Sequence, residues 1–214
     1  MPLLELPVEG AMLAGFVAAA LATVLSPGPD TLVIIRASLA GGRSAGLYAV
    51  AGVQAGLVVH TLLAALGLGL LIASSPALFR AVGIAGALYI GWLGLSGLRG
   101  RGALSLAGGP AEISRRRAFA DAALTNLLNP KVILLFLALF PHFIEPQRGD
   151  VAAQSAFLGA VLIVINTVWQ VPLAFAAEAA RRWLLGPRTG TAIARGMGLV
   201  FIGLSVVLLF EHLS

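Results

Sequence analysis

Two long apolar stretches of this chain are each interrupted by proline, and each carries one charge just past the interruption. The first reads Ser26-Pro27-Gly28-Pro29-Asp30 and the second Asn126-Leu127-Leu128-Asn129-Pro130-Lys131. Proline in a helix interior removes a donor and clashes with the preceding turn, at a cost of about 3 kcal/mol. A charge deep in lipid costs about 2.5–3.5 kcal/mol on insertion scales. Composition says that lipid is the relevant solvent. The chain is 59% hydrophobic and 11% charged, with a mean hydropathy of +0.98, whereas a soluble domain carries about 25% charged residues. Too little polar surface exists to coat a water-soluble globule. The fold class is therefore an all-α polytopic membrane protein, and its two opposite charges mark a candidate site.

A spanning helix needs about 20 mostly apolar residues. Six stretches qualify: Gly10–Ala40 with the first break, Ser44–Ala73, Pro76–Leu98, Ala118–Phe143 with the second break, Val151–Ala180 and Gly190–Glu211. The N-terminus lacks a basic region ahead of its apolar run, so it reads as a retained span rather than a signal peptide. Arg36 and Arg43 flank the first loop, Arg99, Arg101 and Arg115 to Arg117 the third, and Arg181, Arg182, Arg188 and Arg195 the fifth. Only Arg80 and Arg148 fall on the other side. The positive-inside rule then places these three loops in the cytoplasm and both termini outside. The net charge of +5 is spent on topology. The arginines form no basic stripe, and no nucleic-acid partner is expected.

The third loop is the only sizeable hydrophilic connection. It divides one membrane domain, residues 1–214, into a three-span repeat over 1–98, a cytoplasmic linker over 99–117, and a second three-span repeat over 118–214. Three is odd, so the second repeat would enter the membrane inverted. Spans one and four, both broken by proline, then become equivalent, and Asp30 aligns with Lys131. Transporters use such inverted repeats with discontinuous helices at mid-depth.

Asp30 follows Pro29 and suits the first turn of a restarting helix, where a carboxylate meets the positive end of the dipole. Asn129-Pro130 reads as N-cap and first helical residue. Lys131, the only lysine, then puts a cation at the positive end, which is the wrong sign. Snorkelling fails too, because about 18 Å separates it from either interface while its stem spans roughly 6 Å. It needs an anion or a water-filled cavity beside it. Either Asp30 and Lys131 pair with each other, or they hold the ammonium and carboxylate of a bound zwitterion. Pro27, Gly28, Pro29 and Pro130 are the helix-breaking residues.

Further polar groups lie at mid-depth. Gly52, Gly56 and His60 share one helical face, with His60 at a close helix contact as a proton relay or a hydrogen-bonded core residue. Asn166 and Gln170 share a face of span five, to bind substrate or to join helices. Asn126 precedes Asn129 by one turn in the second break. The glycines of span three, Gly83, Gly86, Gly91, Gly94 and Gly97, fit tight packing or an oligomer contact. Cysteine is absent, and no metal, nucleotide or hydrolase motif occurs in usable context. No cofactor or metal is expected, nor an enzyme. Transport would be driven by an ion gradient or by the substrate's own. A passive channel and an intramembrane enzyme are the alternatives, the latter lacking a nucleophile and base.

These motifs, in this order, resemble the LysE/RhtB family of bacterial amino-acid exporters. Ser26 to Asp30 resembles the family's SPGPD/N motif, and Arg36, Gly42-Arg43 and Gly46 resemble the segment that follows it. Gly86-Ala87-Leu88-Tyr89-Ile90-Gly91-Trp92-Leu93-Gly94 is similar to a glycine-rich span of the family. Asn126 to Lys131, then Phe140-Pro141-His142-Phe143, resembles its NxxNPK…PxF stretch. The resemblance implies six spans, export of amino acids or related small metabolites, and proton antiport. It supports Asp30 and Lys131, and it leaves His60, Asn166 and Gln170 to the reading of the residues alone.

Overall fold

The computed structural model describes residues 7–26, 28–66, 76–98, 113–136, 140–184 and 189–213, and every regular element among them is helical. In order these are α1 (Gly10–Leu25), α2 (Pro29–Ala65), α3 (Pro76–Leu98), α4 (Arg115–Leu127), α5 (Pro130–Leu134), two short 3-10 turns at Phe140–Phe143 and Pro146–Arg148, α6 (Val151–Leu184) and α7 (Thr189–Leu213). Pro27 and residues 99–112 of the expected linker lie outside the described residues. The linker's end differs from expectation. Ser114 caps α4 by accepting from the Arg117 N–H at 3.3 Å, so Arg115 to Arg117 form its first turn.

The solvent-facing pattern is that of a membrane protein. Leu66 and Phe210 are more than 70% exposed, and Val164, Val168 and Leu199 are also open. Pro29–Ala65 and Val151–Ala180 are each long and apolar enough to cross a membrane, and Gly10–Leu25, Ile84–Leu95 and Gly198–Phe210 are shorter apolar helical stretches. Apolar side chains facing outward on so many helices need a lipid solvent.

The first expected loop is not a loop. α2 passes through the Arg36–Arg43 region with a single non-helical residue, Gly42, at φ 70 and ψ −169. In a straight helix residues 38 and 46 would lie about 12 Å apart along the axis. Here the Cβ position of Gly46 abuts the Ser38 side chain, and that of Gly41 lies 3.1 Å from the Ile113 carbonyl. The chain therefore folds back at Gly42, and α2 is two legs of a hairpin with a one-residue turn. Only glycine takes this positive φ without strain. Arg36, expected beside water, is 2% exposed in the leg before the turn.

The two legs of α2 pack on α4 and α6, α1 packs on α6, and α3 packs on α7. Small residues make the first of these cores: Ala37, Ala45, Ala49, Ala118, Ala122 and Ala174 with Val33, Ile34 and Val53. Glycines set the separation, as expected of the Gly52–Gly56–His60 face. Gly52 lies against the Phe119 carbonyl and Gly56 against Asn126. Gly94 and Gly198 meet reciprocally, each Cβ position within 2.9 Å of the other's carbonyl oxygen. Ser205 Oγ donates to the Ala87 carbonyl at 2.7 Å across the same α3–α7 contact. Of the span-three glycines, Gly86, Gly91 and Gly94 thus pack inside the chain.

A second core, of larger side chains, fills the other end of the molecule. Phe16 meets Phe140 and Phe143 edge-on at 5.3 and 5.4 Å between centroids, and Phe136 lies 4.2 Å from Phe140. Leu57, Leu135, Leu158 and Leu162 complete it. Beyond it Arg148 meets Glu9 at 3.7 Å and Glu145 at 3.8 Å. The two breaks lie between the small-residue core and this aromatic one.

Candidate functional site between two helix breaks

Each break leaves a different set of unspent groups. α1 stops at Leu25, with Ser26 extended, because two prolines within three residues forbid a continuous ladder. A helix end leaves its last four carbonyls without intrahelical donors. α2 restarts with Pro29 in its first turn and Asp30 beside it; Gly28 is the N-cap and provides no side-chain cap. At the second break α4 ends at Leu127 and α5 starts at Pro130. Asn129 is its N-cap and accepts from the Lys131 N–H at 3.1 Å, as the Asn-Pro pattern predicts.

The breaks complete each other. Asn126 Nδ2 donates to Asp30 Oδ2 at 2.8 Å, and Asn129 Nδ2 donates to Asp30 Oδ1 at 3.2 Å. In return, Lys131 Nζ donates to the carbonyls of Thr23 at 2.7 Å and Ser26 at 2.6 Å. These two are the orphaned oxygens at the C-terminal end of α1, where the helix dipole is negative. Thus the cation that is wrongly placed for its own helix is correctly placed for another. The lysine stem crosses Gly28, whose Cβ position lies 3.7 Å from Lys131 Cδ and 3.9 Å from Nζ. Among the described residues Asp30 and Lys131 are not within ion-pair distance of each other. They face one space through different partners.

That space is a cavity of about 50 Å³, lined by Thr23, Ser26, Gly28, Asp30, Thr31, Asn129 and Lys131 from the breaks. One water needs about 10–15 Å³ on this measure, so several fit. Asn166 and Gln170 of α6 line the opposite wall, with Leu57, Val132, Leu135 and Leu162 supplying an apolar side. Gln54 Nε2 donates to Gln170 Oε1 at 2.9 Å. This fixes the Gln170 amide with its own N–H groups unspent. His60 does not line the cavity. Its Nε2 lies 3.3 Å from the Asn126 carbonyl, and its ring stacks on Phe136 at 5.5 Å. A carbonyl only accepts, so Nε2 carries the hydrogen in that contact. His60, Asn126 and Asp30 form one chain of contacts leading to the cavity.

Sequence reasoning missed a second polar cluster. Buried Arg36 lies 3.8 Å from Asp121, which is also 3.9 Å from Arg117 and accepts from Tyr89 Oη at 3.4 Å. The signal was available: Asp121 stands four residues after Arg117 at the head of an apolar run, the spacing of a helical ion pair. Thr23, Ser26 and Thr31 were also unremarked as cavity residues. Among the described residues no group of three or more His, Cys, Asp or Glu is placed to hold a metal.

Comparison with known proteins converges on one family. The family model described as LysE type translocator matches residues 21–212. A homoserine/homoserine lactone efflux protein of Salmonella typhimurium (strain LT2) is 36% identical over 178 residues, covering 83% of this chain and 86% of that protein. A leucine efflux protein of Enterobacter sp. (strain 638) is 30% identical over 203 residues, covering 92% and 94%. A threonine efflux protein of Escherichia coli (strain K12) is 32% identical over 150 residues, covering 68% and 72%. No solved structure matches. With both breaks and nearly the whole length inside the match, this chain belongs to the LysE type translocator family, membrane transport proteins rather than enzymes.

Proposed function

We propose that the protein is a secondary active exporter of an amino acid or a related small zwitterionic metabolite, working by proton antiport with alternating access. One observation carries this reading: a cavity with both polar and apolar walls, at the place where two broken helices present a carboxylate and an ammonium and α6 presents two amides. An exporter needs a mid-depth site that recognises both ends of a zwitterion, and half-helix ends supply it. Asp30 would receive the substrate ammonium. Asn166 and Gln170, across the cavity, offer amide donors for the carboxylate. The efflux activities in the names of the three relatives support an amino-acid substrate.

Proton coupling would use Asp30 directly, with His60 joined to it through Asn126. Alternating access would open the Phe16–Phe140–Phe143 end and the small-residue end in turn. Six spans arranged as two inverted three-helix repeats would give these two gates equivalent construction. The pairing of α3 with α7 through the reciprocal Gly94–Gly198 contact supports that symmetry. The arginine distribution supports an inner-membrane location with both termini outside.

The test is efflux from proteoliposomes loaded with L-homoserine, L-threonine, L-leucine or L-lysine, with and without a pH gradient. At least one neutral amino acid should leave saturably, show counterflow, and leave faster when protons can enter in exchange. Flux without saturation or counterflow would instead establish a channel.

A further inference from the structure

We infer that the Lys131 ammonium occupies the site built for the substrate's own ammonium group, as a tethered stand-in that substrate must displace. This rests on the export reading above and assigns its cation subsite. The site is made of the Thr23 and Ser26 carbonyl oxygens at the end of α1, with the Asp30 carboxylate on the facing helix start. Lys131 Nζ holds both carbonyls at 2.6–2.7 Å, distances typical of charge-assisted bonds. Asp30 is held by Asn126 and Asn129 rather than by the lysine, and so keeps acceptor capacity toward the cavity. A primary ammonium has three N–H donors. Lys131 satisfies two of its donors on the two carbonyls and stays beyond ion-pair reach of Asp30. The carboxylate is left for the third donor of an amine free to shift toward it, and nothing in the set selects a lysine over a free amine.

The lysine arrives from outside the site. Its backbone belongs to α5, its stem crosses Gly28, and no side chain at position 28 blocks its withdrawal. A group with such a path can leave without unfolding either break. When an amino acid enters, its ammonium takes the two carbonyls and Asp30, and its carboxylate faces Asn166 and Gln170. When the carrier returns without substrate, Lys131 refills the site. The α1 carbonyls then keep a cationic donor through the whole cycle.

This assignment reverses the role that simple charge matching gives Lys131, which is to bind the substrate carboxylate. The two roles predict opposite changes in the reactivity of the only lysine in the chain. The experiment is amine-selective acylation of the wild-type full-length protein in proteoliposomes. Lys131 is read by peptide mass spectrometry as a ratio to the α-amino group, so that acyl reagent consumed by the added amines cancels. The additions are methylammonium, tetramethylammonium at equal ionic strength, and L-homoserine, L-threonine and L-leucine individually. Methylammonium should accelerate acylation of Lys131 by about threefold or more, by taking its carbonyls and releasing it. Tetramethylammonium, which has no N–H, should leave it unchanged. Any amino acid exported in the efflux assay should act as methylammonium does. No acceleration by methylammonium, or protection by an exported amino acid, would overturn the assignment. Methylammonium tests the subsite even if none of the amino acids is exported, an outcome that would count against the export reading instead.

A variant gives an independent readout. Lys131→Met should lower net efflux about tenfold or more beyond any loss of homoexchange, because only the empty return needs the stand-in. Methylammonium should stabilise this variant against thermal unfolding more than it stabilises wild type. Equal loss of exchange and efflux, in a variant that remains monodisperse, would assign Lys131 to the substrate carboxylate.

Discussion

The two helix breaks look alike in sequence and do opposite things. The first exposes acceptors: the carbonyls of Thr23 and Ser26 and the carboxylate of Asp30. The second supplies donors: the amides of Asn126 and Asn129 and the ammonium of Lys131. Neither break satisfies all of its own groups, although Asn129 caps α5. Two discontinuities that would each be costly in a membrane interior become one hydrogen-bonded junction with a cavity in it. The difference also explains why the lysine sits at the wrong end of its own helix. Its electrostatic partner is the C-terminus of α1, not the N-terminus of α5.

Variants on the two sides should separate this reciprocity from mere helix breaking. Asp30→Asn removes the charge while keeping the helix start. It should cut efflux by about a hundredfold or more, in line with loss of a buried charged partner worth about 2–5 kcal/mol, with membrane insertion unchanged. Flux within twofold of wild type would break the comparison, because the acceptor side would then need no charge. Next in size, Asn126→Ala should lower efflux by about tenfold, since it frees Asp30 Oδ2 and leaves it with one amide donor. Asn129→Ala should lower efflux by a similar amount and also destabilise the protein, because it removes both an Asp30 donor and the α5 cap.

A smaller effect is expected where only the frame is touched. Gly42→Ala puts a side chain at a φ of 70 and should destabilise the detergent-solubilised protein by about 1–3 kcal/mol, read as a lower melting temperature with exchange kinetics intact. Arg148→Ala should change stability by no more than about 1 kcal/mol, since its ion pairs with Glu9 and Glu145 are substantially exposed. A large loss from Arg148→Ala would show that the aromatic end depends on its charged rim.

Much of the site was legible because lipid makes polar residues conspicuous. Asp30, Asn126, Asn129, Lys131, Asn166 and Gln170 stand out in apolar runs, and the structure brings all six to one junction or its cavity. What was not legible has physical reasons. The hairpin at Gly42 needs no polar loop, so hydropathy and arginine positions suggest a longer connection there. Gly41-Gly42 was the available sign of a turn with a positive φ. The partner of Lys131 is backbone, and carbonyl oxygens have no letter in a sequence. They could have been inferred only by asking where the last four carbonyls of α1 go once Pro27 and Pro29 end the helix. Arg36 and Asp121 escaped for a third reason. An arginine in a run of topology-setting arginines looks exposed until its helix is seen packed against α4.

The most direct measurement asks whether substrate occupies the space between the two breaks. The chain has no cysteine, so single cysteines can be placed without altering a background. Thr23→Cys on α1 and Thr31→Cys on α2 would line the cavity, and Gln147→Cys on the exposed Pro146–Arg148 turn serves as control. A small water-soluble thiosulfonate should modify all three positions, and a saturating exported amino acid should slow it at 23 and 31 by about fivefold or more while leaving position 147 unaffected. Modification of positions 23 and 31 at an unchanged rate under saturating substrate would contradict a binding site between the breaks.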